Sequence, residues 1–174
     1  MKFNRIFPVV LAISLFILPA CFHDNEDKID YNQWRDLNTK AFNDSMMLVD
    51  KEGNLEYISY SPNWDPSFSV LLKWHNDRSE NKDKVSPLST STCHVKYTLT
   101  NISGTRLDSS ANMVCIPNQM ITGFMAALTQ MNVKDTVTVV IPYTAGYGAS
   151  GYGGVPPYTT LIFGIRLDSI SRLM

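Results

Sequence analysis

Residues 123–167 constrain the fold of this chain more than any other stretch. Gly123-Phe124, Ala127-Leu128 and Met131 recur at helical spacing, and Thr122 stands where a cap is expected. Residues 136–141 then alternate, with Val137, Val139 and Ile141 on one side. A Gly and Tyr run, Gly146-Tyr147-Gly148-Ala149-Ser150-Gly151-Tyr152-Gly153-Gly154, leads into Val155-Pro156-Pro157. Leu161, Phe163, Ile165 and Leu167 alternate again. The apolar period thus passes from that of a helix to that of two strands joined by a long loop. Such a segment predicts an α+β fold, an antiparallel sheet wrapped around a short helix.

The upstream sequence supplies more strands. Residues 92–100 place Cys93, Val95, Tyr97 and Leu99 on one face and His94, Lys96 and Thr98 on the other. Asn101-Ile102-Ser103-Gly104 turns the chain back toward Arg106-Leu107-Asp108. Residues 55–60 and 68–74 read as strands around a turn-rich 61–66, and the polar residues 76–91 read as a surface loop. Residues 30–53 read as an N-terminal helical extension. Asp30 followed by Gln33 fits a capping box, Gly53 fits a stop, and Trp34, Leu37, Ala41, Leu48 and Val49 form a stripe for packing on the domain of residues 55–174.

The N-terminus reads as a processing signal. Lys2 and Arg5 precede an apolar run of export-signal size, short for a bilayer span, which takes about 20 apolar residues. Leu18-Pro19-Ala20-Cys21 resembles the lipobox of bacterial lipoproteins, which implies removal of residues 1–20 and lipid on Cys21. Polar residues 21–29 read as a tether. The localisation implied is the cell envelope, lipid-anchored, at the outer membrane, with the domain in the periplasm or at the cell surface. Of 15 bases and 16 acids, two bases leave with the signal, so 13 face 16 and the net charge becomes −3. A chain without a basic stripe is not built for nucleic acid. Cys93 and Cys115 remain after Cys21. Val114 and Ile116 make the better inward pair, which turns Cys115 outward, and the pairing of the two thiols stays open.

The Gly-rich run lacks the Lys-Ser/Thr ending and following helix of a phosphate loop. Around Ser150 it lacks a nucleophile elbow, with Tyr152 in place of the second glycine. His75 and His94 lack metal-ligand spacing, so neither metal nor cofactor is expected.

Taken together, Val95-Lys96-Tyr97-Thr98, Leu107-Asp108-Ser109-Ser110, Gly123-Phe124, Ile141-Pro142, Tyr147-Gly148-Ala149-x-Gly151 and Val155-Pro156-Pro157 with Leu161-Ile162-Phe163 resemble the FKBP-type peptidyl-prolyl cis-trans isomerases. The resemblance implies a proline pocket, with Tyr97, Asp108, Tyr147 and Phe163 in the catalytic role. Ile121, Phe124, Val155 and Val114 fall at substrate-binding positions, with Phe124 as the floor and Val114 near a wall. Tyr97 is expected to donate to a buried Asp108 carboxylate. Clients implied are proline-containing exported polypeptides, and rapamycin-type macrolides are implied as ligands. A non-catalytic binding module or holdase on the same pocket is the alternative. Leu107, where relatives carry Phe, and the short Ala111-Asn112 connection imply low turnover.

Overall fold

The computed structural model describes residues 30–171. The signal at 1–20, the tether at 21–29 and Cys21 lie outside the described residues. Among those described, no helix is long and apolar enough to cross a membrane.

Helix α1 (Tyr31–Ser45) is followed by β1 (Ile58–Tyr60), β2 (Val70–Trp74), β3 (Thr92–Thr100), β4 (Arg106–Cys115), α2 (Thr122–Leu128), β5 (Thr136–Ile141) and β6 (Leu161–Ser171). The six strands form one sheet in the order β1-β2-β5-β6-β3-β4, with every neighbouring pair antiparallel. The expected α+β architecture is therefore present.

The alternation of the strands sorts their side chains onto two faces. Val70, Leu72, Val137, Val139, Ile141, Leu161, Ile165 and Leu167 point to the inner face, where they bury Phe124, Ala127 and Leu128 of α2 together with Met131. Helix and sheet approach closely at Gly123, where a Cβ would stand 2.3 Å from Ile141 Cγ2. Ile121, rather than Thr122, is the N-cap of α2, and it makes no side-chain cap bond.

α1 covers the outer face. Phe42 packs on Leu71 and Val140, flanked by Met46, Tyr57 and Ile162. The Asp30 carboxylate caps the helix by accepting from the N–H groups of Asn32 and Gln33, at 2.9 and 3.3 Å. The helix stops at Ser45 and not near Gly53, because Asp50 organises a separate turn, accepting from the Glu52 and Asn54 N–H groups at 2.9 Å each. Its packed stripe is Trp34, Asn38, Ala41 and Phe42, whereas Leu37, Leu48 and Val49 are exposed. A face centred on a polar residue was not legible from apolar spacing alone.

β4 is an edge strand with two irregularities that set the site. Leu99 faces Asp108 and Thr100 faces Arg106, so Leu107 is an extra residue. Tyr97 faces Ser110 while Val95 faces Met113, so Ala111 and Asn112 stand opposite Lys96 alone. Each such bulge reverses the parity of the residues beyond it. Asp108 and Ser110 share the inward face before the second bulge, and Met113 and Cys115 share it afterwards. Val114 is thereby turned outward opposite His94 and is 57% exposed. Cys115 points inward against the expectation, buried directly opposite Cys93, and both thiols are free.

One part of the 76–91 segment is not a loose surface loop. The buried Asp135 carboxylate accepts from Asn76 Nδ2 at 3.0 Å, Arg78 Nε at 3.2 Å, Asn81 Nδ2 at 2.7 Å and the Asn132 N–H at 2.8 Å. Burial alone would raise its pKa, and these four donors hold it below the usual carboxylate range.

Candidate functional site

The site lies where β3, the bulged start of β4, α2 and the loop between β5 and β6 converge. Its base is an aromatic cluster. Phe124 and Phe163 meet edge to face with ring centroids 5.1 Å apart, and Tyr97 reaches them at 6.5 and 5.9 Å. Phe124 is buried because α2 starts against β5, and Phe163 because it faces Val139 and Leu99 across the sheet. Ile121 is partly buried against the core that contains Phe124 and Phe163.

Next to this base, reached through Asp108, which Tyr97 bonds, and through Leu99, which faces Phe163, opens a cavity of about 260 Å³, lined by Leu99, Leu107, Asp108, Tyr147, Tyr152, Gly153 and Val155. The bulge explains how the consecutive residues Leu107 and Asp108 both reach it, since a regular strand would send them to opposite faces. A larger concavity of about 360 Å³ lies on the sheet around Lys96, Tyr97, Thr98, Thr136, Gly164, Ile165 and Arg166. The smaller cavity, unlike this one, contains Asp108, the hydrogen-bond partner of Tyr97, together with Tyr147 and Tyr152 of the loop.

The loop is built to hold its aromatic residues. Gly151 adopts φ +68°, and a Cβ there would stand 2.3 Å from the Val155 carbonyl oxygen. Tyr152 and Val155 exchange backbone bonds at 3.1 and 2.8 Å, and the Gly151 N–H reaches the Tyr147 carbonyl at 3.2 Å. Tyr152, 72% exposed, stacks on Tyr147 with centroids 5.4 Å apart.

The electrostatics centre on one carboxylate. The Tyr97 hydroxyl donates to Asp108 Oδ2, and the Ser109 N–H donates to Oδ1 at 2.7 Å. Burial first, then the bond to Asp108, hold the Tyr97 phenol above its ordinary range. Burial and the charge of Asp108 also raise Tyr147. Tyr147 lines the cavity, where its hydroxyl can meet a ligand carbonyl. Asp108 itself is exposed rather than buried as expected, because no strand lies beyond β4. Among the described residues, no group of three His, Cys, Asp or Glu could hold a metal.

A family model described as FKBP-type peptidyl-prolyl cis-trans isomerase matches residues 83–168. The chain is 38% identical over 96 residues to FK506-binding protein 1 of Dictyostelium discoideum, covering 88% of that protein and 51% of this chain. The chain belongs to the FKBP-type family. It is also 38% identical over 92 residues to the Macrophage infectivity potentiator of Trypanosoma cruzi, covering 50% of this chain and about half, 47%, of that protein. Among solved structures, FkpA from Escherichia coli superposes with a TM-score of 0.63 at 19% identity, covering 80% of this chain and 62% of that one. A peptidyl-prolyl cis-trans isomerase from Pseudomonas syringae gives 0.62 at 22%, covering 79% and 96%. These two likenesses carry the fold.

Of the expected residues, Tyr97, Asp108, Phe124 and Phe163 are joined by a hydrogen bond and ring contacts, Tyr147 and Val155 share the cavity lining with Asp108, and Ile121 packs against the core. Val114 does not, and Met113 takes the inward position, packed against the core. Sequence reasoning placed Leu99 on the inward face without assigning it to the cavity, and it passed over Tyr152. The signal for Tyr152 was its place in the Gly-rich loop, where small neighbours leave room for one large side chain.

Proposed function

We propose that this chain catalyses cis-trans isomerisation of X-Pro peptide bonds. The observation that carries the reading is the Tyr97 to Asp108 hydrogen bond beside the Phe124 and Phe163 rings, with Tyr147 in the same cavity lining as Asp108.

The reaction breaks no covalent bond. Its barrier of about 18–20 kcal/mol is the amide resonance lost as the C–N bond turns. Leu99, Leu107 and Val155 of the cavity lining give the prolyl ring apolar contact that displaces water from it. In that surrounding the twisted amide, less polar than the planar one, loses less hydration. Tyr147 donates to a substrate carbonyl and orients the chain. Tyr97 fixes the Asp108 carboxylate at the rim, where it meets the dipole of the turning amide. Each 1.4 kcal/mol of preference for the twisted state is worth about tenfold in rate. The low turnover implied by Leu107 follows from an aliphatic side chain in the cavity lining where a ring would add more contact.

The basic and apolar start and Leu18-Pro19-Ala20-Cys21 support a lipoprotein form anchored through Cys21, in the cell envelope at the outer membrane, with its domain in the periplasm or at the cell surface. Clients would be proline-containing exported polypeptides, and rapamycin-type macrolides would compete for the pocket. Intact-mass analysis of the membrane fraction tests the anchor, expected as a chain beginning at acylated Cys21. A soluble chain with a free Cys21 thiol speaks against it. A protease-coupled prolyl-peptide assay tests the activity. Slowed aggregation of an unfolded client without acceleration of any prolyl peptide would instead assign the pocket to a holdase.

A further inference from the structure

Asn38 is a poor residue for a helix that only has to cover a sheet. It is fully buried in the middle of α1, where Asn lowers helix propensity and a buried amide is costly unless bonded. Its groups are bonded. Nδ2 donates to the Trp34 carbonyl at 2.8 Å, Oδ1 accepts from the Thr160 N–H at 2.7 Å, and the Asn38 carbonyl accepts from Thr160 Oγ1 at 3.1 Å. One turn earlier, Trp34 Nε1 donates to Thr159 Oγ1 at 3.2 Å, and that hydroxyl donates to the Pro156 carbonyl at 2.8 Å.

Thr159 and Thr160 are the last residues of the cavity loop before β6. The residue before them, Tyr158, has φ +58°, a left-handed conformation that a Tyr keeps only when its surroundings impose it. Its N–H donates to the Gly148 carbonyl at 2.9 Å, next to Tyr147. Arg35 of α1 stands 5.8 Å from its ring. Hydrogen bonds and adjacent residues thus connect α1 to the neighbour of Tyr147, although α1 contributes no residue to the cavity lining. Phe42, which carries the apolar packing of α1, meets β2 and β5 instead. The two roles of the helix are therefore separable.

We infer that Trp34 and Asn38 are positioning residues: α1 latches the base of the loop, so that Tyr147 and Val155 stand over the Phe124 and Phe163 base before substrate arrives. The consequence for catalysis rests on the isomerase reading, while the latch itself is a property of the fold. A loop ordered in advance binds without the cost of ordering on contact.

The test uses the full chain with Trp34→Phe, which removes the indole donor together with its five-membered ring, Asn38→Leu, and Phe42→Leu as a packing control. Amide hydrogen exchange and prolyl-peptide kinetics are measured at a temperature where all are folded. Trp34→Phe and Asn38→Leu should speed exchange across residues 146–158 about tenfold, the scale of one lost hydrogen bond, with β5 unchanged. KM should rise about three- to tenfold with kcat near wild type, because the loop must then order as substrate binds. Phe42→Leu should lower the melting temperature and leave loop exchange and KM alone. Loop exchange at the wild-type rate in Trp34→Phe overturns the latch, as does an increase spread evenly over the sheet. If Asn38→Leu does not fold, Trp34→Phe decides. If the wild type isomerises no peptide, the isomerase reading fails and the loop exchange still decides the latch.

Discussion

Removing the Tyr97 hydroxyl or the Asp108 carboxylate separately, and then both, measures the interaction on which the site turns. Tyr97→Phe leaves Asp108 with the Ser109 N–H at 2.7 Å and with solvent, since the carboxylate is exposed. The cost is that of an ordinary hydrogen bond, about 1 kcal/mol, and not the larger figure for a buried charge. Asp108→Ala strands a half-buried phenol, which costs about 1–2 kcal/mol because water reaches it only partly. The double variant loses the bond once, so the cycle should return a coupling of about 1 kcal/mol. Urea unfolding monitored by tryptophan fluorescence reads the stability, and the prolyl-peptide assay reads the rate. Strictly additive losses would mean that the two side chains do not meet in solution, and the electrostatic part of the mechanism would fall with them.

Phe163→Ala empties the aromatic base at a 4% exposed position and should cost about 3–5 kcal/mol in urea unfolding, together with most of the activity. A loss below about 1 kcal/mol would show that the base is not close-packed. Phe42→Ala should cost about 3 kcal/mol by the same measurement, and an unchanged midpoint would make α1 a free appendage. Burial, with Cys115 adding to it, pushes the Cys93 thiol up to about 12, and burial pushes Cys115 up to about 11. Both stand above the unfolded thiol value of about 8.5, so their contribution to stability is full below that pH and is lost as pH rises through about 11 and 12. Iodoacetamide at neutral pH should therefore label Cys93 and Cys115 only after unfolding, and rapid native labelling at either would contradict their burial.

The parts of the fold legible in the sequence were those fixed by period alone. Val137, Val139 and Ile141 on β5, and Leu161, Phe163, Ile165 and Leu167 on β6, face inward because strand side chains alternate without interruption there. β4 was not legible in the same way. Its bulges at Leu107 and at Ala111-Asn112 each reverse parity, and Met113 with Cys115 is as apolar as Val114 with Ile116. Hydropathy could not choose between them. Asp108 was expected buried because its place at a sheet edge depends on strand order, which local sequence does not encode. Asn38 was passed over for Leu37 because a polar residue on a packing face makes sense only once its partner Thr160, 122 positions away, is known.

The most direct test of the central claim is the rate of cis-to-trans conversion of an Xaa-Leu-Pro-Phe peptide with the wild-type chain and with Phe124→Ala, Tyr147→Phe and Asp108→Ala. The account predicts acceleration by the wild type that grows linearly with protein concentration, falls in all three variants, and is blocked by a rapamycin-type macrolide. No acceleration by folded wild-type protein, or acceleration that survives unchanged in all three variants, would contradict it.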